Sequence, residues 1–324
     1  MLGAIIIAGQ TLREVGDTPS SGEGAKHACL ASIQVLGCST IVRTVEYFRR
    51  SGVDEISVFG NRATGGHRSA EFDSSYREED AWRSAAQQLR RYQEDGINTV
   101  LITRAGAYVE CDVAALLEEH CEHGEPVTRT FDKDGPLDMW AVDPLRFSDG
   151  DELLTCLRNV STADCEVGGY VNRLNGLSDV RRLAADILSS RCRMRPHGTE
   201  TRPGVWMAEG AQVGRGARVV APAYLGRGAR IAEECLVTRC SSVESNSHID
   251  FGTVIEDSSI LPDTYVGIGL DITHSVVDGG EVLNLHHGVH LHISDPVVIR
   301  RTASHRDSRS EFQMGEMAMS AGEQ

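Results

Sequence analysis

Between residues 207 and 261 every sixth position is aliphatic: Met207, Val213, Val219, Leu225, Ile231, Val237, Val243, Ile249, Ile255 and Leu261. Val, Ile, Leu and Met are about a quarter of the chain, so ten in register by chance has odds on the order of one in a million per phase. A period of six is neither the 3.6 of an amphipathic helix nor the 2 of a half-buried strand. It is the spacing of a β-helix, whose coils lay short strands on the faces of a prism and turn one aliphatic side chain inward per face. Gly214, Gly216, Gly226, Gly228, Asn246 and Gly252 follow inward positions, where tight corners need small or turn-forming residues. The phase breaks after Leu261 and resumes, shifted, at Leu270, Val276 and Val282. Residues 296–300 read as a closing strand.

Upstream the pattern changes. Residues 3–8 are a continuous apolar run, as in a buried parallel strand, and residues 10–26 read as an irregular loop. Ser39 or Thr40 can cap a helix with Ile41, Val42, Val45 and Phe48 on one face, ended by Gly52. Residues 53–59 return as a strand, so this unit predicts a parallel, right-handed crossover. Further helices are expected at 79–94 (Trp82, Ala86 and Leu89 inward), after Asp112 (Val113, Leu116, Leu117 and Cys121, stopped by Gly124), and from Ser178 to Leu188. Strands are expected at 97–103 and 138–142. Between 191 and 204 the composition turns to Arg, Pro, Gly and Thr, which places a domain boundary there. The expected domains are therefore 1–195 and 204–300, with 301–324 a disordered tail.

The net charge of −15 argues against nucleic acid as a partner. Nine scattered cysteines form no CxxC, and no secretory signal or membrane span is readable. This predicts reduced, mostly buried thiols and a cytoplasmic protein.

Five segments carry a resemblance. "APAYLGRGARI" followed by "SHIDFGTVIEDSSILPDTYVGIG" resembles the C-terminal domain of sugar-phosphate nucleotidyltransferases, the GDP-mannose and ADP-glucose pyrophosphorylase type. "VLGCSTIVRTVEYFRRSGVDEISVF" and "GINTVLITRAGAYVECDVAALLEEH" are similar to the family's first helix and second strand and to its central strand with the following helix. "GGYVNRLNGLSDVRRLAADIL" is similar to its late active-site segment. The resemblance implies an α/β chain: a Rossmann-like nucleotidyltransferase domain with a mixed, mostly parallel sheet, then a left-handed hexapeptide-repeat β-helix. The handedness comes from the resemblance alone.

The family joins a sugar 1-phosphate to a nucleoside triphosphate and releases pyrophosphate, with magnesium as its cofactor. Its glycine-rich phosphate loop corresponds here to Ala8, Gly9, Gln10, Thr11, Leu12 and Arg13, with two glycines missing. Gly9, Thr11 and Arg13 are the remaining candidates to approach a nucleotide anion. Lys26, the one lysine in the first hundred residues, is the candidate for the family's phosphate-binding lysine. Magnesium needs carboxylate oxygens, yet the family's first metal acid falls on Gly106 and its second on Arg173, beside Asn172. Glu110 or Asp112 could substitute. The expected reading is a pyrophosphorylase-like protein with reduced or lost catalysis that binds a nucleotide or sugar phosphate. Arg104 and Arg173 would then be metal-free anion receptors. It would assemble with itself or with an active paralogue through the β-helix, and no catalytic or metal residue is assigned.

Two alternatives stay open: an active nucleotidyltransferase with an atypical metal site, and a hexapeptide-repeat acyltransferase, since acyltransferases built on the same β-helix use a catalytic histidine. His286, His287, His290 and His292 form a cluster. Strand alternation would put His286, His290 and His292 on one face, with His287 opposite, and three imidazoles could hold zinc.

Overall fold

The computed structural model describes residues 1–8, 33–60, 78–147, 150–158 and 163–302, without the side chains of 78, 79, 150, 151, 154 and 158. Gly9, Thr11, Arg13, Lys26 and the expected tail from 303 onward lie outside the described residues. The chain is a mixed α/β protein that divides into two compact units. The first comprises residues 1–33, 38–180 and 192–194, the second 34–37, 181–191 and 195–324. Among the described residues no helix is long and apolar enough to cross a membrane.

In the first unit β1 (Leu2–Ala8) pairs in parallel with β4 (Glu55–Gly60) and β5 (Thr99–Arg104). The two-residue strands β2 (Gln34–Val35) and β3 (Cys38–Ser39) precede β4 in the chain. β8 (Gly135–Val142) lies antiparallel to β5 and to β7 (Val127–Asp132), and β9 (Ala163–Glu166) continues parallel to β7. The sheet order is β4-β1-β5-β8-β7-β9. The unbroken apolar run of β1 follows from its burial on both faces. Ala4 and Ile6 join a core with Phe48, Leu116 and Met139, while Ile5 and Ile7 join another with Trp82, Leu89 and Trp140.

Helix α1 (Thr40–Arg50) starts at Ser39, whose side chain accepts from the Val42 N–H, and α3 (Val113–His123) starts at Asp112 and ends at left-handed Gly124. Both caps agree with the sequence expectation. α2 (Glu78–Glu94), α4 (Gly150–Arg158) and α5 (Leu177–Leu188) complete the helices. Val42 and Cys121 are exposed, not inward. Arg43, Tyr47 and His120 are buried instead; the Tyr47 hydroxyl donates to the Cys111 carbonyl and the His120 ring meets the Thr128 hydroxyl. Of the eight described cysteines, all free, only Cys111, Cys165 and Cys235 are buried, fewer than expected.

Buried His120 places Nδ1 2.8 Å from the Thr128 Oγ1. Burial, its largest influence, lowers its pKa below the ordinary value, and His123 adds to this while Asp143 opposes it. Neutral His120 thus contributes stability that is full above its unfolded pKa, about 6.5, and is lost as pH falls toward the depressed folded value. Thermal melts between pH 7.5 and 5 should show a decline that His120→Gln flattens; an identical slope in the variant would refute this.

The second unit is built from three parallel strand stacks visited in rotation. One runs β13 (Gln212–Val213), β16 (Arg230–Ile231), β19 (His248–Ile249), β22 (Thr264–Val266); another runs β14 (Arg218–Val219), β17 (Leu236–Thr238), β20 (Val254–Glu256), β23 (Asp271–Thr273). The third runs β12 (Val205–Met207), β15 (Ala223–Leu225), β18 (Ser241–Val243), β21 (Ser259–Ile260), β24 (Ser275–Asp278). Successive partners are 18 residues apart, as in Val213↔Ile231, Val219↔Val237 and Leu225↔Val243, which is three of the six-residue periods. Val219, Leu225, Ile231, Val237, Val243, Ile249 and Ile255 share one core.

Two expectations are corrected. Val213 is exposed; it lies on β13, the first strand of its stack. The phase also breaks earlier than Leu261. Val243 pairs with Ile260, Ile249 with Val266 and Ile255 with Ile272, all 17 apart. The step from Ile255 to Ile260 is five residues, so the core continues through Ile260, Val266, Ile272 and Val277.

Buried hydroxyls stitch the layers together. Ser247 Oγ donates to the Leu261 carbonyl and accepts from the Thr264 N–H, and Ser258 Oγ does the same for Ile272 and Ser275. Corners bring backbones close: a Cβ on Gly226 would stand 2.6 Å from the Ser245 nitrogen.

Antiparallel strands close several edges. β11 (Thr199–Arg202) covers β12, β25 (Glu281–Asn284) covers β24 and carries β26 (Val289–His292), and β27 (Ile299–Arg301) covers β22.

Candidate functional site

The residues that take the place of the expected metal acids meet on one hairpin of the first unit. β7 and β8 are joined through the Asp-Lys-Asp-Gly sequence at 132–135, a turn signal readable in the chain. Arg104 ends β5 and reaches Asp138 of β8 at 3.7 Å. Gly106 faces the same carboxylate: a Cβ built there would lie 3.7 Å from Asp138 Oδ2. Arg173 donates to Asp132 and to the carbonyls of Gly135 and Pro136, the latter two at 3.0 Å. The hairpin therefore brings Arg104, Gly106 and Arg173 to its two strands and gives each arginine an acid. Sequence reasoning missed Asp132 and Asp138 because nothing local marks an acid that an arginine 34 or 41 residues away will face.

Arg173 works here as a clamp: its N–H groups fix the hairpin tip, which leaves less of the guanidinium to receive an outside anion. Asn172 is fully buried. Its amide donates to the Asp179 carbonyl and its oxygen accepts from the Leu174 N–H, so it shapes the entry to α5.

Glu110 and Asp112 are also committed. β6 (Tyr108–Cys111) pairs antiparallel with β10 (Gly169–Asn172). On it, buried Glu110 accepts the Tyr108 hydroxyl at 2.9 Å and the Arg193 backbone N–H at 3.0 and 2.8 Å. Burial foremost, then the Glu110 charge, raises the Tyr108 pKa, and Arg43 opposes this; Tyr108 stays a donor. Asp112 Oδ1 caps α3 by accepting from Ala114 and Ala115. A small cavity of about 60 Å³ beside it is lined by Glu119, Cys165 and Glu166 among others. There the Cys165 thiol donates to Glu119, and burial with that bond pushes its pKa up to about 12, so it is a poor nucleophile.

A magnesium ion does not suit this set. It needs free carboxylate oxygens, and the acids nearest the two expected places each carry a guanidinium.

The histidine cluster of the second unit divides in two. β26 starts at Val289, so strand alternation does not reach back to His286. His290 and His292 share a face, with Glu281 opposite. His286 sits in the preceding turn, its ring 5.7 Å from His274 and 4.7 Å from His287. His274 Nδ1 lies 2.6 Å from Asp257 Oδ2, and the other Asp257 oxygen accepts from buried Arg181 at 2.5 Å.

No protein-family model matches this chain, and no curated protein matches it significantly.

Proposed function

We propose that the chain is a sugar-phosphate nucleotidyltransferase-like protein that has given up pyrophosphorylase catalysis and serves as a nucleotide- or sugar-phosphate-binding, regulatory subunit. In this reading the first unit is the Rossmann-like nucleotidyltransferase domain. The three-stack unit is its left-handed hexapeptide β-helix, through which the protein assembles with itself or an active paralogue. The single observation that carries the reading is Arg173. It stands where the family's second metal acid is expected, clamped to Asp132 and the hairpin carbonyls, and a fixed positive charge there repels a divalent cation. Gly106 at the other place supplies no side-chain oxygen.

The test is pyrophosphate release from nucleoside triphosphates and sugar 1-phosphates with magnesium. We expect none above background, together with a thermal shift on adding nucleotide or sugar phosphate without magnesium. Magnesium-dependent turnover that is lost in Asp132→Asn and Asp138→Asn would overturn the proposal and assign metal binding to those two acids. Stabilisation by acetyl-CoA alone would instead favour acyl transfer.

A further inference from the structure

We infer that the outer face of the β14–β17–β20–β23 stack is a two-fold interface with a second copy of this chain. The inference gives a surface to the self-assembly proposed above and rests on that part of the reading, not on nucleotide binding. Val219, Val237, Ile255 and Ile272 of these strands point into the core of the unit, so the residues beside them point outward. Strand register sets one outward row in line, with Arg218 beside Leu236, Leu236 beside Val254, and Val254 beside Asp271. Arg218 and Asp271 are exposed, while Leu236 and Val254 are half-buried. The row thus runs from a cation through two aliphatic side chains to an anion. Neither end charge pairs with another side chain among the described residues, whereas Glu256 of the neighbouring outward row is held by Arg239 at 2.8 Å.

Such a row is complementary to itself. A two-fold axis lying in the interface, parallel to the strands, reverses the order of the layers and keeps the position along each strand. Arg218 then faces Asp271 of the partner subunit, Leu236 faces Val254 of the partner subunit, and each contact occurs twice. The other two stacks do not offer this. On β16, β19, β22 and β27 the outward row is Arg230, His248, Tyr265 and Arg300, so the same reversal sets arginine against arginine, and the Arg300 guanidinium already covers the Tyr265 ring at 3.7 Å. On β15, β18 and β21 the outward Tyr224, Ser242 and Ser259 are already buried. Strands stand about 4.8 Å apart, so a face of four short ones falls well below the roughly 800 Å² per partner of a standard interface. The dimer should therefore be weak and reversible, with a dissociation constant on the order of 10–100 µM. The net charge of −15 on each copy opposes association at long range, but at physiological salt the Debye length of about 8 Å leaves the facing contacts to decide.

The experiment is sedimentation equilibrium of the untagged full chain at physiological ionic strength, over roughly 1–500 µM so as to span the expected dissociation constant. The parent should show a monomer–dimer equilibrium. Arg218→Asp and Asp271→Arg each set like charges together at two contacts, and each alone should weaken the dimer about ten-fold. The double variant restores opposite charges and should return to within about three-fold of the parent. Arg230→Asp makes the same charge change on another face and should leave the equilibrium unaltered. Circular dichroism should be the same in all four variants. A parent dimer that ignores both reversals, or a double variant no tighter than the singles, overturns this face while self-assembly stands. A parent that stays monomeric throughout overturns the face and self-assembly together, and leaves the row to a partner of another sequence. Neither result touches nucleotide binding, which pyrophosphate release and the thermal shift test separately.

Discussion

Replacing Glu110 with alanine should lower the stability of the first unit by about 3 kcal/mol, because a buried hydroxyl and a part-buried backbone N–H would lose their acceptor. Those donors are the Tyr108 hydroxyl and the Arg193 N–H. The Arg193 N–H ties β6 to a segment 83 residues downstream, while the Tyr108 hydroxyl bonds within the strand. For a unit of this size the loss corresponds to a melting temperature lower by about 6–12 °C. Glu110→Gln keeps one acceptor oxygen and should lose less. Differential scanning calorimetry decides the matter. If the alanine variant melts with the parent, Glu110 is not the internal anchor described here, and its availability as a metal ligand has to be reconsidered.

Ile249→Ala should cost the second unit about 2–5 kcal/mol, the range for truncating a large aliphatic side chain in a core that relaxes only partly. Ile249 is fully buried between the layers above and below, paired in its stack with Ile231 and Val266. Neighbouring layers are held in register by the hydroxyl bonds of Ser247 and Ser258, so little collapse can fill the gap. Val213→Ala removes an aliphatic residue of the same sequence register but from an exposed site, and should change stability by at most about 0.5 kcal/mol. Denaturant unfolding of the pair separates the two effects. Equal losses would mean that position in the stack does not govern the energetics.

That contrast marks how far the sequence could be read. Register was legible where the core repeats without interruption, from Val219 to Ile255, and caps were legible where one side chain serves its own helix, as Ser39 and Asp112 do. The single-residue shortening between Ile255 and Ile260 was not, because Leu261 kept the six-residue count by coincidence beside the true inward residue. Residues 138–142 of β8 were legible as a strand, but β7 with the hairpin they form and the β6–β10 ribbon escaped, since antiparallel strands with polar members show neither a long apolar run nor a repeat. At the candidate site, the absence of acids at positions 106 and 173 was legible, while the acids that face those positions were not. Glu244 makes the same point in the other unit. It is almost fully buried and receives the Leu36 and Gly37 N–H groups from more than 200 residues upstream, a partnership no local pattern encodes.

The strand stacks also bear on how the molecule behaves when concentrated. A column of parallel strands is a template onto which another molecule's column could add, end upon end, into a fibre. Here the finishing side is largely closed to such growth. β25 lies across β24 and β27 across β22, each in the wrong direction to be extended by another parallel layer. β23 ends its stack without an antiparallel cover among the described strands, and it begins with a charged aspartate.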